Sequence, residues 1–135
     1  MHGDFTWLDL STFDVAEAKR FYGALFQWDF YEDGSGYVNC TGATAPCAGL
    51  YEMPEFFRNT RMPSFWMTYI SVSDIDSIVT KAGELGGKVE LEETNPLGRV
   101  ALIRDPSGTG FTCYEGAAGT AIAFCDAVER PLLRD

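Results

Sequence analysis

Hydrophobic and polar positions follow two periods that recur along the chain. Residues 5–12 alternate, with Phe5, Trp7 and Asp9 on one side and Thr6, Leu8 and Leu10 on the other. That is the two-residue period of a half-buried strand. Val15, Ala18, Phe21, Tyr22 and Leu25 then recur at helical spacing. Asp14 stands before them as an N-cap candidate, with Glu17 three residues on in the capping-box position. The same signals return later in the chain. Residues 65–73 are rich in aromatic and β-branched side chains, and Asp74 precedes Ile75, Ile78, Val79, Ala82 and Leu85, spaced for one helix face. Gly86-Gly87 ends that pattern, where a left-handed turn costs glycine little. The two predicted helices cover 14–26 and 74–86. Three short strands are predicted after each, over 28–32, 36–41 and 48–53, then over 88–92, 98–105 and 109–115. Asp33-Gly34-Ser35-Gly36, Asn95-Pro96-Leu97-Gly98 and Asp105-Pro106-Ser107-Gly108 mark turns between them.

The two halves also align residue by residue. Trp7–Leu25 lies over Met67–Leu85 without a gap, with identities at Ser11/Ser71, Asp14/Asp74, Gly23/Gly83 and Leu25/Leu85. Further on, Tyr51-Glu52 matches Tyr114-Glu115. The expected fold is therefore α+β: two tandem strand-helix-strand-strand-strand (βαβββ) modules, over about 4–53 and 65–116. A linker over 54–64 carries Pro54 and Pro63, and a tail runs over 117–135. All of it fits one domain of 135 residues.

Composition narrows the function. Twenty acidic against ten basic residues give a formal net charge of −10. A nucleic-acid module needs a basic surface, and so does attraction to an anionic membrane, so neither partner is expected. No apolar run is long enough to span a bilayer, and residues 1–4 do not open a signal peptide, so a cytoplasmic protein is expected. Cys40, Cys47, Cys113 and Cys125 contain no CxxC pair and read as reduced thiols. The lone histidine, His2, leaves no histidine-rich metal site and no triad with a core-held imidazole.

The segment FDVAEAKRFYGALFQW and the later GRVALIRDPSGTGF, set in this tandem repeat, resemble the vicinal oxygen chelate superfamily. That group includes glyoxalase I, extradiol dioxygenases and the fosfomycin- and bleomycin-resistance proteins. The resemblance spans about residues 4–116. It implies two modules whose curled mixed sheets face a common cleft, and it implies homodimers. It also implies four strand positions that usually carry His, Gln or Glu and bind a divalent metal. Counted from the helix-capping aspartates, from the Asp105 turn and from the repeat offset, these positions hold Trp7, Gly49, Met67 and Thr112. None is a good ligand for such an ion. A slip of one residue presents Leu8, Thr68 and Cys113, which do not form a set either. No metal and no other cofactor is expected.

Alternation places Asp9, Tyr51, Tyr69, Ser71 and Tyr114 on the same strand faces as Trp7, Met67 and Thr112. An aromatic, mildly acidic lining of this kind suits a flat or cationic small molecule. The expected ligand-binding residues are Trp7, Asp9, Tyr51, Met67, Tyr69, Thr112 and Tyr114, and the expected function is small-molecule binding. Two other readings stand beside it. One is a metal-dependent lyase, isomerase or dioxygenase with non-standard ligands. The other is a structural or regulatory protein whose cleft is filled by these same aromatics. Glu52 and Glu115 read as surface carboxylates, and Cys113 as a thiol facing a helix. The apolar stretch Ala117–Val128, with Ala121, Ile122, Ala123, Phe124 and Val128, supports the homodimer implied by the resemblance.

Overall fold

The structure, a computed structural model, describes residues 2–32, 34, 36–42, 48–95 and 98–116. Cys47, Cys125 and the tail 117–135 lie outside the described residues, so the expectation for the tail does too. The fold is α+β. In chain order the elements are β1 (Phe5–Thr12), α1 (Val15–Phe26), β2 (Asp29–Glu32), β3 (Val38–Thr41) and β4 (Ala48–Glu52). A 3₁₀ helix (Glu55–Thr60) follows, then β5 (Phe65–Ser71), α2 (Ile75–Glu84), β6 (Lys88–Asn95), β7 (Gly98–Arg104) and β8 (Gly110–Gly116). The predicted strands and helices hold to within a few residues. The segment read as a plain linker contains the 3₁₀ helix, whose end is tied to the first helix's approach by Arg58 lying 4.7 Å over the Phe13 ring. No helix among the described residues is long and apolar enough to cross a membrane.

The described residues divide into two compact units, the 8–66 unit and the 67–127 unit, the latter also holding residues 2–7. In the 8–66 unit the strand order is β2-β3-β4-β1, with β1 and β4 parallel and the remaining pairs antiparallel. In the 67–127 unit the order is β5-β8-β7-β6, with β5 and β8 parallel. One helix covers one face of each unit's four strands. Leu10, Ala18, Val38, Cys40 and Leu50 form the core under α1; Val72, Ile75, Ala101, Ile103 and Cys113 form the core under α2. Burying each large side chain in these cores is worth roughly 1.5–3 kcal/mol, which offsets the entropy of ordering the strands.

The helix starts are built alike. The Asp14 carboxylate accepts the Glu17 N–H at 3.0 Å, and the Asp74 carboxylate accepts the Asp76 N–H at 3.1 Å. The capping box at Asp14 is only half formed, because the Glu17 side chain pairs with Arg20 and the Asp14 N–H goes to the Thr12 hydroxyl. Each helix gains a second partner from its own last strand. Glu52 accepts the Val15 N–H at 3.1 Å, and Glu115 accepts the Ile75 N–H at 2.7 Å. These carboxylates were expected only to face solvent. They instead satisfy first-turn donors that have no partner inside the helix. At the helix ends the two differ: Gln27 takes the left-handed conformation after α1, whereas Gly86 takes it after α2, as expected.

The helix faces are narrower than their periodicity suggested. Phe21 and Leu25 of α1 are exposed, and Leu85 is 75% exposed. In α1 only Ala18 is fully buried.

Candidate functional site

The sheet face away from α1 carries the polar chemistry of the 8–66 unit. Leu10, Val38, Cys40 and Leu50 point to the helix, so strand parity turns Asp9, Ser11, Asn39, Gly49 and Tyr51 the other way. Asp9 is the register partner of Gly49 on β4, and Gly49 is the register partner of Asn39 on β3. Asp9, Gly49 and Asn39 thus form one row across three strands, with Tyr31 next to Asn39 on β2. Asp9 and Asn39 are both buried. The middle of the row has no side chain, and the Tyr37 ring fills that space: a Cβ added at Gly49 would fall inside the phenol. The Tyr37 hydroxyl donates to Asp9 Oδ2 at 3.1 Å. Beside this row lies an open depression of about 390 Å³ lined by Gly36, Tyr37, Tyr51 and Glu52. Tyr51 is 43% exposed there, an aromatic face presented to solvent.

The face away from α2 is more closed. Tyr69 is the register partner of Thr112, and Ser71 of Tyr114, so these four residues form two adjacent rows. Met67 precedes Tyr69 on the same side of β5. Tyr114 is 2% exposed and burial pushes its phenol up, so it stays neutral at ordinary pH. Trp7 is likewise 2% exposed. Of the expected ligand-binding residues, then, Met67, Tyr69, Thr112 and Tyr114 share one face of the 67–127 unit, and Asp9 and Tyr51 share one face of the 8–66 unit. Trp7 belongs to the former unit by its contacts and is covered. Tyr37 and Asn39 were not singled out from the sequence. The signal was present: with Val38 and Cys40 apolar, parity assigns Tyr37 and Asn39 to the opposite face.

The positions where the resemblance implies metal ligands do not fit a metal. Tyr37 fills the space above Gly49. Trp7 offers only an N–H donor, and Thr112 a buried hydroxyl. Among the described residues, no three His, Cys, Asp or Glu side chains gather in a metal-binding group. The two described thiols, Cys40 and Cys113, are held in their protonated form. Burial, with the nearby Asp9 charge adding to it, pushes Cys40 up to about 12, and burial pushes Cys113 up to about 11. Both sit in the helix-covered cores, as expected for Cys113.

A family model described as Glyoxalase/Bleomycin resistance protein/Dioxygenase superfamily matches residues 5–112. CFP32 of Mycobacterium tuberculosis, provisionally named a glyoxylase, is 34% identical over 120 residues, covering 84% of this chain and 46% of that protein. The anthracycline biosynthesis protein DauV of Streptomyces sp. strain C5 is 33% identical over 119 residues, covering 84% of this chain and 42% of that protein. The chain therefore spans just under half the length of the curated relatives it matches. Among solved structures, methylmalonyl-CoA epimerase of Mycobacterium tuberculosis superposes with a TM-score of 0.56 at 15% identity, covering 85% of this chain and 88% of that one. At that identity the likeness concerns the fold.

Proposed function

The chain belongs to the Glyoxalase/Bleomycin resistance protein/Dioxygenase superfamily, and we propose that it binds a small aromatic or cationic molecule without a metal. The observation that carries this reading is the depression beside Tyr37 and Tyr51, rimmed by Glu52 and adjoining the buried Asp9. Its volume of about 390 Å³ falls within the usual range of small-molecule sites, roughly 300–1,000 Å³. Two phenol rings offer faces for stacking or cation–π contact, each worth about 0.5–2 kcal/mol, so several contacts acting together are needed for micromolar affinity. The carboxylates and the net charge of −10 favour a cation over an anion. Trp7, Met67, Tyr69, Thr112 and Tyr114 remain proposed ligand contacts on the face of their own unit.

The relatives named for anthracycline biosynthesis make flat polycyclic aromatics the first class to try. Calorimetric titration with an anthracycline, against a panel of aliphatic acids, tests the reading. Tyr51→Ala should weaken anthracycline binding about tenfold and leave the unfolding midpoint nearly unchanged, because Tyr51 is exposed. Equal affinity in the variant would remove Tyr51 from the site. Preference for the acids would overturn the proposed ligand class.

A further inference from the structure

The two helix-capping glutamates differ in what stands across from them. Glu115 accepts the Ile75 N–H at 2.7 Å and is the register partner of Arg99 on β7. The Arg99 guanidinium also lies 2.9 Å from Asp76 and 3.6 Å from Glu92, so the carboxylates at this helix start share a cation. Glu52 makes the same helix contact, to the Val15 N–H at 3.1 Å. Its register partner on β1 is the neutral Thr12; on the β3 side, two residues beyond the Val38–Leu50 pair, the position across from it is Gly36. Tyr51-Glu52 and Tyr114-Glu115 lie 63 positions apart, and so do Gly36 and Arg99. Among the described residues no lysine or arginine forms an ion pair with Glu52. Where the 67–127 unit has Arg99, the 8–66 unit has open space. A Cβ added at Gly36 would meet nothing within 4 Å, and the depression of about 390 Å³ is lined by Gly36, Tyr37, Tyr51 and Glu52. The φ of 92° at Gly36 is a conformation that side-chain-bearing residues rarely adopt, so the backbone itself keeps the space clear.

We infer that the ligand of this depression carries a planar cation, an amidinium or guanidinium, that pairs with Glu52 in the space at Gly36, standing to Glu52 as Arg99 stands to Glu115. The Val15 N–H engages Glu52 Oε1, which steadies the carboxylate and leaves Oε2 for the ligand. A carboxylate already held at a helix start loses less side-chain freedom on pairing than a loose surface glutamate. Hydrogen bonds from a planar cation to a carboxylate are roughly twice as strong as those from a neutral donor, so a neutral amide of the same shape binds less well. Tyr51, exposed on the same depression, takes the ring that bears the cation. Neither Tyr37 nor Asp9 has to move, and the hydrogen bond between them stays in place. The assignment rests on the proposal that this depression binds small molecules, and it adds which chemical group is read and by which residue.

The test titrates the full chain calorimetrically with two probes of one shape, the cationic 2-naphthamidine and the neutral 2-naphthamide. The wild type should bind the amidine about tenfold more tightly than the amide. Glu52→Gln keeps an oxygen for the Val15 N–H and removes only the charge. It should cut amidine affinity about tenfold and change amide affinity less than twofold. Glu115→Gln removes the same unit of net charge at the matching cap of the other unit, and should change either affinity less than twofold. Equal losses of amidine binding in the two variants would assign the preference to the overall negative field and overturn the pairing with Glu52. Equal losses of both probes in Glu52→Gln, or an unchanged amidine affinity there, would overturn it too. Equal binding of amidine and amide by the wild type would overturn the cation site while leaving the small-molecule reading in place. Binding of neither probe would overturn both.

Discussion

The two helix-covered cores are near copies, and the opposite sheet faces are not. Under α1 and under α2 lie five buried residues each, including one cysteine, and each helix start is held by an aspartate and by a glutamate from its own last strand. Away from the helices the 8–66 unit has short strands, a polar row with an orphaned amide oxygen and an exposed tyrosine. The 67–127 unit has strands of seven or eight residues there, with a covered tyrosine. The difference shows where each kind of constraint acts. Helix–sheet packing tolerates few arrangements of volume, so both copies keep it. The other face is free of that demand, and there the two units differ.

The largest expected effects test the likeness of the cores. Leu50→Ala and Ile103→Ala each empty a fully buried site and should each lose roughly 2–5 kcal/mol in urea denaturation. A loss confined to one of the two would show that the cores are not equivalent. The helix starts should differ more. Glu115→Ala strands the Ile75 N–H beside a fully buried side chain and should cost about 1–2 kcal/mol. Glu52→Ala exposes the Val15 N–H to water at an open site and should cost only a few tenths of a kcal/mol. Equal costs would mean that burial around the two caps is the same.

The thiols offer a smaller and finer comparison. Cys40, pushed up to about 12, should be alkylated more slowly by iodoacetamide at pH 8 than Cys113, pushed up to about 11, with peptide mapping separating them. In the unfolded chain each thiol ionises near 9.0, whereas the folded protein holds its protons to higher pH. The folded state then binds more protons than the unfolded one, so stability is full below pH 9 and falls as pH rises toward 11 and 12. Cys40→Ala should flatten part of that alkaline decline. A decline unchanged in Cys40→Ala and Cys113→Ala variants would assign it to other groups.

Much of this architecture was legible in the residues. The alternation of 5–12, the aspartates before each helical stripe and the Gly86 stop are local signals, and the elements follow them closely. The site was only partly legible. Asp9 and Tyr51 were identified by parity, but Tyr37 and Asn39 were not. Parity within β3 shows which way their side chains turn; it does not show that Asn39 stands in register with Gly49, nor that a ring from a neighbouring turn lies over it. Phe21 and Leu25 fit the apolar stripe of α1, yet both are exposed. Around them Tyr22, Phe26, Trp28 and Trp66 pack ring on ring, and the Trp66 indole N–H donates to the Tyr22 hydroxyl at 3.3 Å. That group joins residues more than forty positions apart, which no periodicity reports.

The sequence by itself determined the period of each segment and the caps that start the helices. These follow from backbone geometry and side-chain chemistry, which act within a few residues. Only the tertiary structure decided what lies across from what. The pairing of β1 with β4 and of β4 with β3 sets Asp9, Gly49 and Asn39 in one row, and the path of the chain before β3 lays Tyr37 across it. The carboxylates of Glu52 and Glu115 became helix caps for the same reason: parallel pairing brings the end of each last strand to the start of its helix. Register is a non-local quantity, set by burying two faces at once, and the site was written in register.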